Sequence, residues 1–325
     1  MAHTFGRIIF ISVLIVLFGG LGVWNALSQE VRFPIKPIKL IIGSAPGASS
    51  DLPIRALAKA AERTLGQPIN CYNSPGAAGT LALGTVLKEK PDGYTLVTVT
   101  MATVIAAQME KLNYSPSNDF SPIIEVQNQP MPFAVRKDAP WNTWQEVIKH
   151  LRGSGRPIKV GIWGAKSSNW LALSQVEKKE NVKFLYVPFT GGGESITAIL
   201  GGHIDANMAT SSIIYAKSGE LKLLLVFADQ RLKNFPDIPT GKELYGQEGV
   251  GFGGGFGGIT APKGLPNAIL TKLHDAFKKA MEDPDYRAVS EKFDLLISYK
   301  KPEDFQNLLQ RTEEAIKAYA KEELK

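Results

Sequence analysis

Short apolar runs, rich in β-branched and aromatic residues, recur at residues 39–43, 68–72, 94–100, 158–163, 184–189 and 221–228. Their lengths and composition predict strands. Between them, apolar residues fall three and four apart. Ile54, Leu57, Ala58, Ala61 and Leu65 share one helical face, as do Ile196, Ile199 and Leu200 within residues 194–200. The same spacing places Ile269, Leu270, Leu273, Phe277 and Ala280 on a helix at 266–281, and Phe305, Leu308, Leu309 and Ile316 on one at 302–319. Residues 80–88 and a segment starting near Trp170 also read as helices. Thr143 and Glu146 have the spacing of a capping box ahead of Val147, Ile148 and Leu151. A short strand is expected at 203–207. Strand, small-residue loop and helix alternate over residues 39–100, which implies a parallel sheet covered on both faces. Residues 123–135, extended and carrying Pro130 and Pro132, predict a crossing between domains.

The loops between these elements carry the candidate chemistry. Thr190, Gly191, Gly192 and Gly193 follow a strand and open onto a helix that Gly201 and Gly202 stop. Free N–H groups and a partial positive charge at such a helix start suit an anion. The alternative is a tight connection that binds nothing. Residues 44–51 repeat the arrangement: Gly47 and Ala48 leave room, Ser49 and Ser50 offer hydroxyls, and Asp51 stands at the helix start, where Ser50 and Asp51 alternatively serve only as caps. Residues 74–79 form another small-residue turn. Residues 164–169 form a third polar loop, with Lys166, Ser167 and Ser168; it lacks the glycine and spacer of a P-loop. Gly253, Gly255 and Gly258 match a dinucleotide fingerprint in spacing only, because residues 259–262 are Ile-Thr-Ala-Pro and no helix follows. A glycine-rich strand packed closely by another chain segment or a ligand is the reading there.

Composition narrows the class. A hydrophobic share of 44% and a charged share of 21% fit a globular body rather than a disordered or membrane-embedded one. Residues 1–28 read as a signal peptide: Arg7, then an apolar run at 8–24, then Ala26-Leu27-Ser28 with small residues at the cleavage positions. An uncleaved N-terminal anchor is the alternative. Either way the body is exported to the periplasm. The formal charge of +6 becomes +5 once Arg7 is removed, and it is spread along the chain with no basic, aromatic-interleaved run of the nucleic-acid kind. The single cysteine, Cys71, excludes an internal disulfide, and the four scattered histidines suggest no metal site. No G-x-S-x-G or H-E-x-x-H motif occurs and no histidine lies in the loops named, so binding without catalysis or cofactor is the economical reading.

Several segments, taken in order, resemble the solute-binding proteins of the tripartite tricarboxylate transporters, the Bug family. They are residues 33–42, 46–51, 66–68, 73–79, 91–95, 114–123, 187–193, 200–205, 236–239 and 260–262. The resemblance spans nearly the whole chain after the leader. It implies a type II periplasmic binding protein, α/β throughout, with two α/β lobes and a ligand cleft between them. The lobes are expected at 31–127 plus 229–325 and at 128–228. It also implies a small organic anion, mostly a carboxylate, delivered to membrane permease subunits. Carried onto this chain, the ligand residues are Ser44, Gly47, Ala48, Ser49, Ser50 and Asp51 in the first loop and Thr190, Gly191, Gly192 and Gly193 in the second. Ser167, Ser168 and Trp170 follow in the third, with Thr100, Met101 and Ala102 at the distal end. The chain departs from the family pattern at Ser44, Ala48, Ala102, Trp163, Lys166 and Trp170, and at 207–212. An altered distal pocket is therefore expected, in which Lys166 pairs a second acidic group, or Trp163 and Trp170 wall an apolar or aromatic tail or are simply core. A ligand-presenting sensor subunit would need the same closing cleft. An enzyme on the same scaffold would need a nucleophile and base that the sequence lacks.

Overall fold

The computed structural model describes residues 32–323 apart from 155, 165–166, 247–250, 252 and 294. The leader and Lys166 lie outside the described residues. The first half runs β1 (Ile38–Ile42), α1 (Leu52–Leu65), β2 (Ile69–Asn73), α2 (Thr80–Val86), β3 (Thr95–Thr100), α3 (Met101–Met109) and β4 (Phe120–Gln129). The chain then crosses at Pro130 to β5 (Met131–Arg136), α4 (Trp144–Ser154), β6 (Ile158–Trp163), α5 (Ser168–Glu180), β7 (Phe184–Phe189), α6 (Gly192–Leu200), β8 (Ala206–Asn207), α7 (Ser212–Lys217), β9 (Leu221–Phe227) and α8 (Gly241–Tyr245). It returns through β10 (Gly255–Pro262) and closes with α9 (Asn267–Ala280), α10 (Pro284–Lys292) and α11 (Pro302–Glu323).

Two five-stranded sheets result, in the orders β2-β1-β3-β10-β4 and β7-β6-β8-β5-β9. The parallel pairing expected over residues 39–100 is observed, with β1 parallel to both β2 and β3. In each sheet the fourth strand in these orders, β10 or β5, runs antiparallel to both neighbours. The cause is connectivity: β5 follows β4 directly across Pro130 and β10 enters from the other half after α8, so neither is placed by a strand-helix-strand crossover within its own sheet. The two sheets therefore share one strand arrangement that no sequence repeat announces.

The glycines at 253–258 do let other groups come close. A Cβ on Gly258 would lie 2.4 Å from Ile124 O and 2.5 Å from the Phe305 ring, so β10 can sit between β3 and β4 under α11 only without a side chain there. The two crossings are tied together by Asn128, whose Nδ2 donates to Gly253 O at 3.3 Å and lies 3.5 Å from Asp229. Asp229 in turn pairs with Lys242.

Around the first sheet, Val97, Val99, Ile105, Phe120, Phe305 and Leu309 are among the core side chains; around the second, Phe133, Trp144, Val160, Leu173 and Phe227. Buried Glu313 of α11 accepts from Ser115 Oγ at 2.8 Å and Ser117 N at 2.9 Å, which pins the turn before β4. Buried Glu125 pairs with Lys300 at 2.6 Å; burial raises its carboxyl above the ordinary value while Lys300 pulls the other way. Cys71 is half-buried in β2, and burial pushes its thiol up to about 11.

Some local expectations shift. The strand expected at 203–207 is only Ala206–Asn207, since Gly202 is left-handed and a turn occupies the residues before it. At α4 only half the capping box forms: Thr143 Oγ1 accepts from Glu146 N, while the Glu146 carboxylate accepts from Asn142 N. A full box stands at Thr240–Glu243 instead. The helix expected at 302–319 continues to Glu323 as α11. Among the described residues no helix is long and apolar enough to cross a membrane.

Candidate functional site

The loop between β1 and α1 is shaped by Gly47 and Asp51. Gly47 has a φ of +79°, a left-handed conformation that favours glycine. Asp51, 1% exposed, is turned back under the loop. Its Oδ2 accepts from Gly47 N at 2.8 Å, and its Oδ1 accepts from Arg55 Nε at 2.9 Å and Asn73 Nδ2 at 2.8 Å. Asn73 Nδ2 also donates to Ser44 O at 2.9 Å. The Asp51 side chain thus makes no helix-cap hydrogen bond, and its oxygens are engaged with the protein. Its place is behind the site, holding the loop's shape.

The second loop joins β7 to α6. The helix begins at Gly192, two residues earlier than the apolar spacing predicts, so Gly192 and Gly193 are its first two residues. Their N–H groups have no intrahelical acceptor, and they donate to nothing among the described residues. Gly192 is needed here because a Cβ would lie 2.9 Å from Ser211 Oγ. Thr190 is engaged elsewhere. Its N–H and hydroxyl donate to Glu194 Oε2 at 3.3 and 2.9 Å, and its carbonyl accepts from Trp163 Nε1 at 3.2 Å.

Both loops open onto one cavity of about 400 Å³. Ser44, Gly47, Ala48, Ser49, Ser50, Met101, Ala102, Ser168, Gly191, Gly192 and Gly193 all line it. Asp51, Thr100, Ser167, Trp170 and Thr190 do not. Thr100 caps α3, its Oγ1 accepting from Thr103 N at 3.3 Å, and borders a separate small cavity behind the first loop. Ser167 is fully buried. The two tryptophans differ. Trp163 lines the cavity and packs on Ala78, Ala102 and Ala106. Trp170 packs into the cores of both sheets and meets the Tyr319 ring edge-on at 6.4 Å, so it is the core residue.

Sequence reasoning missed a large part of the wall. Gln129 and Met131 enter it from either side of the Pro130 crossing, Met208 to Ser211 from the turn after β8, and Lys292 and Phe293 from the end of α10. The first two groups had a signal: the crossing strands and the 207–212 departure were both visible, but neither was assigned to the ligand. The end of α10 had none. Asn207, fully buried, holds the turn by accepting from Ala209 N at 2.8 Å and donating to Ser195 Oγ at 3.1 Å. Three lining residues carry a buried polar atom without a hydrogen-bond partner: Ser44 Oγ, Ser211 Oγ and Gln129 Nε2. Unsatisfied groups gathered at one cavity call for a ligand or water that accepts from them. Lys292 is the one charged side chain among the described lining residues. No group of three histidine, cysteine, aspartate or glutamate side chains is placed to hold a metal among the described residues.

The family model of the tripartite tricarboxylate transporter family receptor matches residues 54–323. The chain belongs to this family. The UPF0065 protein in the gbd 5′ region of Cupriavidus necator is 36% identical over 302 residues, covering 92% of this chain and 91% of that one. Among solved structures, a TctC solute-binding protein from Polaromonas without ligand matches with a TM-score of 0.70 at 30% identity, over 89% of this chain and 99% of that chain. MatC from Rhodopseudomonas palustris, solved with bound malate, matches with a TM-score of 0.77 at 27% identity, over 87% of this chain and 100% of that chain. The two-sheet α/β architecture of this receptor is thus that of solved solute-binding proteins of the family.

Proposed function

We propose that this chain is an exported solute-binding protein. It captures a small organic carboxylate in the cavity between the two loops and delivers it to the permease subunits of a tripartite tricarboxylate-type transporter. Residues 1–28 act as its export signal. Residues 31–127 plus 229–325 and residues 128–228 act as two lobes that close on the ligand. The observation that carries this reading is the cavity itself: unpartnered Gly192 and Gly193 amides beside the Ser44, Ser211 and Gln129 donors, with no acidic side chain among its described lining. Such a donor set suits an acceptor-only anion. The bound malate of MatC, a protein of the same fold, supports a carboxylate as the anion. The reading assigns no catalytic step and no cofactor.

Ligand binding to the folded state raises the melting temperature by mass action: at a concentration a hundredfold above Kd the stabilisation is about 2.7 kcal/mol. A melting panel of mono-, di- and tricarboxylates on the mature protein is expected to show a rise of several degrees for one class. Unchanged melting with every carboxylate would contradict the reading.

A further inference from the structure

The cavity wall away from the two glycine loops has a distinct chemistry. Three of the chain's six methionines line it: Met101 at the start of α3, Met131 at the start of β5 and Met208 just after β8. They come from separate elements, and they are 6%, 4% and 1% exposed. Trp163, Tyr215 and Phe293 add ring surface to the same cavity. Against this stands one described charge, Lys292, which is exposed at the last residue of α10. Among the described residues this wall has no buried cation for a second carboxylate and no carboxylate for an ammonium group.

Magnitudes decide which part of a ligand the wall reads. An exposed ion pair contributes less than about fivefold to affinity, because water screens it and the long side chain must be held still. Each methylene-sized group taken out of water contributes about fourfold. A six-carbon ring against the methionines therefore outweighs a second carboxylate reaching Lys292. Thioethers are polarisable and flexible, and they make favourable contacts with aromatic ring edges. Resting on the reading of this cavity as a carboxylate site, we propose that it selects aryl monocarboxylates. The carboxylate sits on the glycine-loop donors and the ring lies against Met101, Met131 and Met208, which set the specificity.

The test is calorimetric titration of the mature protein with benzoate, phenylacetate, 3-phenylpropionate, malate and adipate. The expected result is that at least one phenyl acid binds tenfold or more tightly than malate and adipate, with a negative heat-capacity change from apolar burial. Met131→Gln and Met208→Gln, which keep side-chain length, are each expected to weaken the phenyl acid at least fivefold more than malate. Malate or adipate binding more tightly than every phenyl acid would overturn this inference and leave the carboxylate reading standing. So would methionine variants that weaken both classes equally. Absence of binding by all five acids would overturn this inference, and if citrate also fails to bind the carboxylate reading falls with it. The wild-type comparison is decisive even if a glutamine variant fails to fold.

Discussion

Replacing Gly193 with aspartate is expected to abolish carboxylate binding while leaving the fold intact. A Cβ at Gly193 meets nothing within 4 Å, so the substitution fits without strain. The new carboxylate would stand in the first turn of α6, where it interacts favourably with the helix dipole by about 0.3–1 kcal/mol. Leaving glycine inside a helix adds a gain of similar size. Melting of the ligand-free variant should therefore be unchanged or slightly raised. The ligand experiences the opposite effect. Two like charges about 4 Å apart in a partly buried site repel by roughly 4 kcal/mol. The expected loss is at least about a hundredfold in affinity. Gly193→Asn, with the same shape and no charge, should lose far less. Equal binding by Gly193→Asp and the wild type would mean that the anion sits elsewhere.

Asp51→Asn is expected to lower both stability and affinity. The wild-type carboxylate accepts from Gly47 N, Arg55 Nε and Asn73 Nδ2 at 2.8 to 2.9 Å. An asparagine turns one acceptor into a donor, and whichever way it sits that donor faces another donor. Leaving such groups unmatched under a buried loop costs about 2–4 kcal/mol, reduced by the partial exposure of Arg55. The melting temperature should fall by several degrees. The 44–50 loop would lose the group that fixes Gly47, so the carboxylate site would lose its shape and the affinity would drop. A rise in affinity is the contradicting result, because it would place the Asp51 charge against the ligand rather than behind the loop.

Much of this arrangement was legible in the sequence because it is local. The small-residue loops at 44–51 and 190–193 announce themselves by glycine and serine between a strand run and a helical face, and both line the cavity. What side chains do inside a loop was less legible. Asp51 and Thr190 read as ligand groups by position, but Asp51 is consumed by Arg55 and Asn73, and Thr190 by Glu194. Those pairings depend on how the loop folds back, which residue spacing does not encode. Trp163 and Trp170 illustrate the same limit. One faces the cavity and the other fills the space between two cores, a difference set by helix and strand packing across the halves.

The parts that were not legible are those built from distant segments. Met131, Met208 and Phe293 meet at one wall only because β5 and the end of α10 are brought to the mouth of the two sheets. The antiparallel β10 and β5 were likewise hidden, since a strand's apolar run does not state its direction. The matching strand orders of the two sheets arise from unlike sequences that satisfy the same burial pattern.

The most direct measurement of the central claim is an amide-resolved NMR titration of the mature protein with a carboxylate that raises its melting temperature. The account predicts that the largest shifts fall on the backbone amides of Ser49, Ser50, Gly192 and Gly193. It also predicts that hydrogen exchange at Gly192 and Gly193 slows on saturation. Shifts confined to another part of the surface, such as the Arg136–Asp205 side of the second sheet, would contradict it. So would saturation that leaves the two glycine amides unchanged.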